Sequence, residues 1–142
     1  MSATALRSLV RPGLTTRVGA FAVAYGQRTM ATGAGKKEWL AIMPDKPNVL
    51  EIRKKVKPIH YEGIKPLIAS GALPAGGAIF EKHPVDGEPA QFKGSVVVYS
   101  AENVEQVRKI IQDDVYATSG VWDLEKVQIL PYVPAVREPL SK

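Results

Sequence analysis

Apolar side chains in "EWLAIM" fall on both sides of an extended chain, Trp39, Ala41 and Met43 against Leu40 and Ile42. Pro44 closes the run and "DKPN" supplies turn chemistry, which predicts a first strand here. The period then lengthens. Asn48 is placed to cap a short helical piece reaching residue 55. Pro58 suits the first turn of a second helix, with Ile64, Leu67 and Ile68 as its apolar stripe and Gly71 as its stop. Pro66 removes the hydrogen bond to the Glu62 carbonyl, which predicts a kink or a break.

Further on, "ALPAGGAIFE" reads as a strand made irregular at its start by Pro74, Gly76 and Gly77. "KHPVDGEPAQFKG" is a turn-rich loop. The β-branched "SVVVYS" is a strand expected to be buried on both faces. Ser100 with Glu102 opens the next helix, in which Val104, Val107, Ile110 and Ile111 recur at helical spacing. "DDVYATSGVW" is a connector with room for one helical turn. "DLEKVQILPYV" is the last strand, with Val127 and Ile129 on one face.

The predicted order is β-α-β-β-α-β, an α+β ferredoxin-like antiparallel sheet with two helices on one face. The strands are apolar enough that the sheet's other face needs covering. A second copy of the chain, packed sheet against sheet as a homodimer, meets that need.

Charge changes the picture at one end only. The chain of 142 residues carries a net charge of +5, but Arg7, Arg11, Arg17, Arg28, Lys36 and Lys37 all precede the first acid, Glu38. The remaining 13 Lys and Arg face 14 Asp and Glu, a net of −1. Basicity therefore gives no support for a nucleic-acid partner. Residues 1–37, rich in Arg, Ser, Thr and Ala, have the composition of a mitochondrial targeting leader recognised by the import machinery. Leu6, Leu9 and Val10 lie opposite Arg7 and Arg11 on a helical wheel. Arg28 stands where a matrix protease would cut, and Met30 is a second start that would give a cytosolic form. The expected division is leader 1–37, folded domain 38–136 and tail 137–142, with the mature protein in the matrix. No apolar run approaches the roughly 20 residues of a membrane span, so membrane insertion is not expected. The absence of cysteine removes disulfides, thiolate catalysis and thiolate metal sites.

Of two histidines, His83 sits in the turn-rich loop, while His60 lies in "KPIHYEGIKP", ahead of Ile64 and Leu67 on one helical face. In the first turn of a helix the dipole would disfavour an imidazolium, leaving a neutral ring able to act as general base. Asp113 and Asp114 end the other helix, where acids are electrostatically misplaced. Two arrangements are open. One of these acids orients the imidazole, or Asp114 caps "VYATSG" while His60 bonds to backbone.

The segments "KPIHYEGIKPLIASGAL", "GSVVVYSAENVEQVRKIIQDDVY" and "SGVWDLEKVQILPYV" resemble the YCII-related domain family over residues 38 to 134. That pattern has a basic residue and proline leading into a helical histidine, a glycine-bearing second strand, a Ser-capped helix ending in Asp-Pro-aromatic, and a last strand. The resemblance implies a dimeric ferredoxin-like α/β fold and a His–Asp acid–base pair at His60 and Asp114. Lys57 stands for the family's arginine, Val115 for its proline, and Gly76-Gly77 for its Gly-Pro.

Together these readings predict acid–base chemistry of isomerase or lyase type on a small, anionic or ring-shaped molecule. His60 and Asp114 would be catalytic; Lys57, Gly76, Gly77 and Tyr116 would bind substrate. No metal and no cofactor is called for. The alternative is a non-catalytic dimeric module that binds a metabolite or a partner.

Overall fold

The computed structural model describes residues 35–138. Strand β1 (Lys37–Pro44) leads into helix α1 (Leu50–Ala69), then β2 (Ala75–Phe80) and β3 (Phe92–Ala101). Helix α2 (Val104–Asp113) and the single turn α3 (Val115–Thr118) follow, and a 3₁₀ turn (Leu124–Lys126) precedes β4 (Gln128–Tyr132). The strands form one antiparallel sheet in the order β2-β3-β1-β4. This is the ferredoxin-like arrangement expected from the pattern. No helix among the described residues is long and apolar enough to cross a membrane. Residues 1–34 of the expected leader 1–37 lie outside the described residues, as does the end of the tail.

Cross-strand pairing decides which side chains share a face. Ala41 pairs with Val97, and Met43 with Ser95; with Tyr99, Ala101 and Ile129 they face the helices. Val56 from α1, Val107 and Ile111 from α2, and Tyr116, Val121 and Trp122 complete the core. Leu40, Ile42, Val96, Val98 and Leu130 pair on the opposite face. There the tail also holds on, because Arg137 donates to both oxygens of Glu38 at 2.9 and 2.7 Å. Strand β1 begins at Lys37, and Arg137 of the tail lies against it through this pair.

The helix expected in two pieces is one. Helix α1 runs twenty residues through Pro58 and Pro66 with no break. Its inward stripe, Arg53, Val56, His60, Ile64 and Leu67, is continuous at spacings of three and four. Both prolines, and the Lys54 and Glu62 carbonyl positions they leave without a donor, lie on the exposed side. Water can serve those carbonyls, so packing of the inner face overrides the local cost. Asn48 does not cap this helix; it adopts φ 60°, and Val49 precedes the first turn.

Smaller differences have similar causes. Asn103, not Ser100, caps α2, its side chain accepting from the Gln106 amide at 2.9 Å. Ser100 is still in β3, paired with Glu38. The irregularity of β2 falls at Ile79/Phe80 rather than at its start. Gly94 is fixed by a close approach, since a Cβ there would run into the Met43 carbonyl.

Candidate active site

His60 sits in the middle of α1, not in a first turn, so the helix-dipole argument for its protonation state falls away. Its Nδ1 lies 2.9 and 2.8 Å from Oδ1 and Oδ2 of Asp114. Asp114 occupies the junction between α2 and α3. Its backbone is extended, which ends one helix and starts the next, and its Oδ1 also accepts the Tyr116 amide at 2.8 Å. The two arrangements left open by the sequence therefore coexist: Asp114 caps the turn and holds the imidazole. The His60 side chain is 13% exposed and that of Asp114 10%, which leaves the pair mostly out of water while Nε2 makes no bond among the described residues.

The ring is held on three sides. Tyr116 stacks on it at 4.1 Å between centroids, inclined by 25°. Trp122 meets it edge-on at 5.9 Å, and Tyr61 approaches at 5.8 Å. Burial pushes the Tyr116 phenol above its ordinary range.

A cavity of about 580 Å³ opens beside the imidazole, between α1 and the sheet. Ile64, Ile68, Leu73, Val97, Phe80 and Phe92 give it a largely apolar wall. Lys57, Gly76, Gly77 and Tyr116 all border it. Lys57 is exposed, its Nζ 5.5 Å from the Tyr61 ring centre. Gly76 is on the helix-facing side of β2, where a Cβ would press on Val97 at 3.3 Å. Gly77 alternates to the opposite side and has open space around it, so only its backbone borders the cleft. The glycines thus differ: one keeps the wall thin, the other does not need to be glycine for space.

Three residues of this wall were not singled out from the sequence. Arg53 is 3% exposed. Its Nη1 pairs with the Asp45 carboxylate, and its Nη2 donates to Ser95 Oγ at 2.9 Å and to the Gly94 carbonyl at 3.3 Å. The guanidinium lies over Tyr116 at 4.5 Å and Phe92 at 4.8 Å, and its Nε is buried without a partner. Burial raises the Asp45 carboxyl above its usual range, and the nearby Arg53 charge opposes that rise. Ser95 accepts from both Arg53 and the Trp122 indole, at 2.9 and 3.3 Å. Tyr99 is the third. Arg53 stands two helical turns before His60 on one stripe, and Tyr99 shares the Val97 side of a period-two strand; either spacing was a usable signal. His83 is exposed in the β2–β3 loop, and among the described residues no three His, Cys, Asp or Glu side chains gather as a metal-ligand set.

Comparison with known proteins places residues 37–132 on the model of the YCII-related domain. The aspercryptin biosynthesis cluster protein B of Emericella nidulans is 36% identical over 110 residues, 77% of this chain and 70% of that protein. The fusaric acid biosynthesis protein 2 of Gibberella fujikuroi is 34% identical over 96 residues, 68% of this chain and 92% of its own length. Among solved structures, the 5-chloro-2-hydroxyhydroquinone dehydrochlorinase of Burkholderia phenoliruptrix, in complex with 2,5-dihydroxybenzoquinone, superposes with a TM-score of 0.58. It is 19% identical and covers 68% of this chain and 93% of that one, a likeness of fold.

Proposed function

The chain belongs to the YCII-related domain family, and from that premise we propose that it is a small acid–base catalyst of isomerase or lyase type. The observation that carries this reading is the contact of His60 Nδ1 with both Asp114 oxygens, 2.9 and 2.8 Å, at the wall of an apolar cavity. With Nδ1–H donated to Asp114, the lone pair of Nε2 is the group left to take a proton. Asp114 fixes that tautomer and stabilises the imidazolium that forms, so the same ring returns the proton at another atom. The relatives named for fungal biosynthesis and the fold neighbour named for a dehydrochlorination support a small-molecule substrate.

The experiment is a metabolite screen followed by His60→Ala and His60→Gln. Both variants keep the fold, and both lose turnover by about 10²- to 10⁴-fold. Tight capture of a metabolite without turnover, unchanged in His60→Gln, would instead identify a binding module. Two further parts of the reading are a homodimer closed through the outer sheet face and import into the mitochondrial matrix. Fusing residues 1–37 to a fluorescent protein tests the second; diffuse fluorescence would overturn it.

A further inference from the structure

Tyr99 is a polar group that neither the fold nor the His–Asp pair uses. It is 2% exposed, on the helix-facing side of β3, and it borders the same cavity as His60. Its hydroxyl makes no hydrogen bond among the described residues. Burial, and the Asp114 charge felt at the phenol, hold its proton on well above the ordinary range. Tyr99 is therefore an O–H donor on an apolar wall, bordering the cavity, where an acceptor carried by a ligand can take the place of water.

Charge balance narrows that ligand. The buried Arg53 is already met by Asp45, and His60 faces Asp114. The remaining cation of the wall, Lys57, is exposed to water. A carboxylate or phosphate placed beside Asp114 would find no unmatched buried cation to pay for its desolvation. A neutral oxygen suits the place better.

We propose that Tyr99 reads the carbonyl oxygen of a neutral ring ketone whose adjacent C–H is deprotonated by His60. This rests on the acid–base reading above and takes the ring-shaped side of the expected anionic or ring-shaped substrate. In the step, the C–H bond breaks and its proton goes to Nε2. The bonding pair becomes the C=C of an enolate, and the C=O π pair moves onto the oxygen held by the Tyr99 hydroxyl. Return of the proton to another carbon gives the isomer. A leaving group one carbon further on departs with the electron pair instead, giving elimination. Neither outcome needs an oxidant, a reductant or a second substrate.

Tyr99→Phe tests the assignment, with cyclohex-2-enone as the probe. If the donor is vacant in the free protein, the variant keeps its melting temperature to within about two degrees. Its dissociation constant for the ketone, from NMR titration, rises about tenfold. A clear fall in melting temperature would reveal a structural partner for the hydroxyl and overturn the proposal. An unchanged dissociation constant would overturn it equally. Exchange of the ketone's α-hydrogens in D2O judges the acid–base reading separately: His60→Gln abolishes it while leaving the ketone affinity within about twofold. Exchange that persists in His60→Gln removes the base, whatever Tyr99 does.

Discussion

Asp114 serves two masters through one carboxylate: Oδ1 accepts the Tyr116 amide at 2.8 Å while both oxygens face Nδ1 of His60. Substitution can separate these duties. Asparagine caps a helix about as well as aspartate, but its neutral amide does not stabilise an imidazolium. Asp114→Asn is expected to lose activity by about 10²- to 10⁴-fold with stability lowered by no more than about 1 kcal/mol. Asp114→Ala is expected to lose activity equally and roughly 1–2 kcal/mol of stability as well. Urea denaturation beside turnover checks both; full activity in the asparagine variant would sever the pair from the chemistry.

The Arg53–Asp45 pair predicts a different signature. Both side chains are nearly inaccessible, at 4% and 5%, so removing one leaves the other buried and unmatched. Arg53→Met is expected to cost about 3–5 kcal/mol. Arg53→Met with Asp45→Asn removes both charges, and the double variant is expected to be more stable than the sum of the singles by at least about 1 kcal/mol. A double-mutant cycle in urea measures this coupling; strict additivity would show that the two groups do not sense one another.

Much of this was readable in the chain because period and pairing are local. The order of elements, the strand faces of Trp39, Ala41 and Met43, and the placement of His60 on an inward stripe all follow from spacing. What failed were local rules that tertiary packing overrides. Pro58 and Pro66 read as helix boundaries because their missing N–H groups count against any helix. Only the fold reveals that the affected carbonyls face water while Val56, Ile64 and Leu67 face the sheet. Arg53 is hidden in the sequence for the converse reason: a charge on an apolar stripe looks like a solvated residue until Asp45 and Ser95 arrive from other segments. Contacts of that separation leave no mark in periodicity.

The same override can be measured at Pro66. Its ring blocks one helical hydrogen bond and is itself exposed, so alanine restores the bond without removing a core side chain. Against a propensity gain of up to about 3 kcal/mol stands a loss of about 1 kcal/mol from a freer unfolded chain. Pro66→Ala is expected to raise stability by about 1–2 kcal/mol and the melting temperature with it. A lower melting temperature would mean that the proline ring itself contributes to packing.

Alkaline unfolding gives Tyr99 an energetic reading that needs no ligand. Burial and the Asp114 charge raise its pKa in the folded state, whereas the unfolded chain releases the phenol proton near pH 10. Above pH 10 the folded state therefore binds more protons than the unfolded one, and stability falls as pH rises. Each such group contributes a slope of about 1.4 kcal/mol per pH unit until its folded pKa is reached. The Tyr99→Phe variant should lose that share of the slope and be indistinguishable from the parent below pH 9. Parallel curves for the two proteins at high pH would show that the phenol ionises in place.

The outer sheet face sets the last expectation. Leu40, Ile42, Val96, Val98 and Leu130 share it; Val98 is already buried and Leu40, Ile42 and Val96 are half-buried, but Leu130 is 44% exposed although it lies in a strand. A face of that kind is costly to leave in water, and a second copy would bury it at about 800 Å² per partner. Because Leu130 is already half exposed in the single chain, Leu130→Lys should spare the monomer fold while placing two like charges across the proposed two-fold axis. Sedimentation at micromolar concentration is expected to show a dimer for the parent chain and a monomer for the variant. The parent's melting temperature should also drop on dilution, and the variant's should not. A variant that sediments like its parent would move the interface elsewhere, and the apolar face would then need another cover.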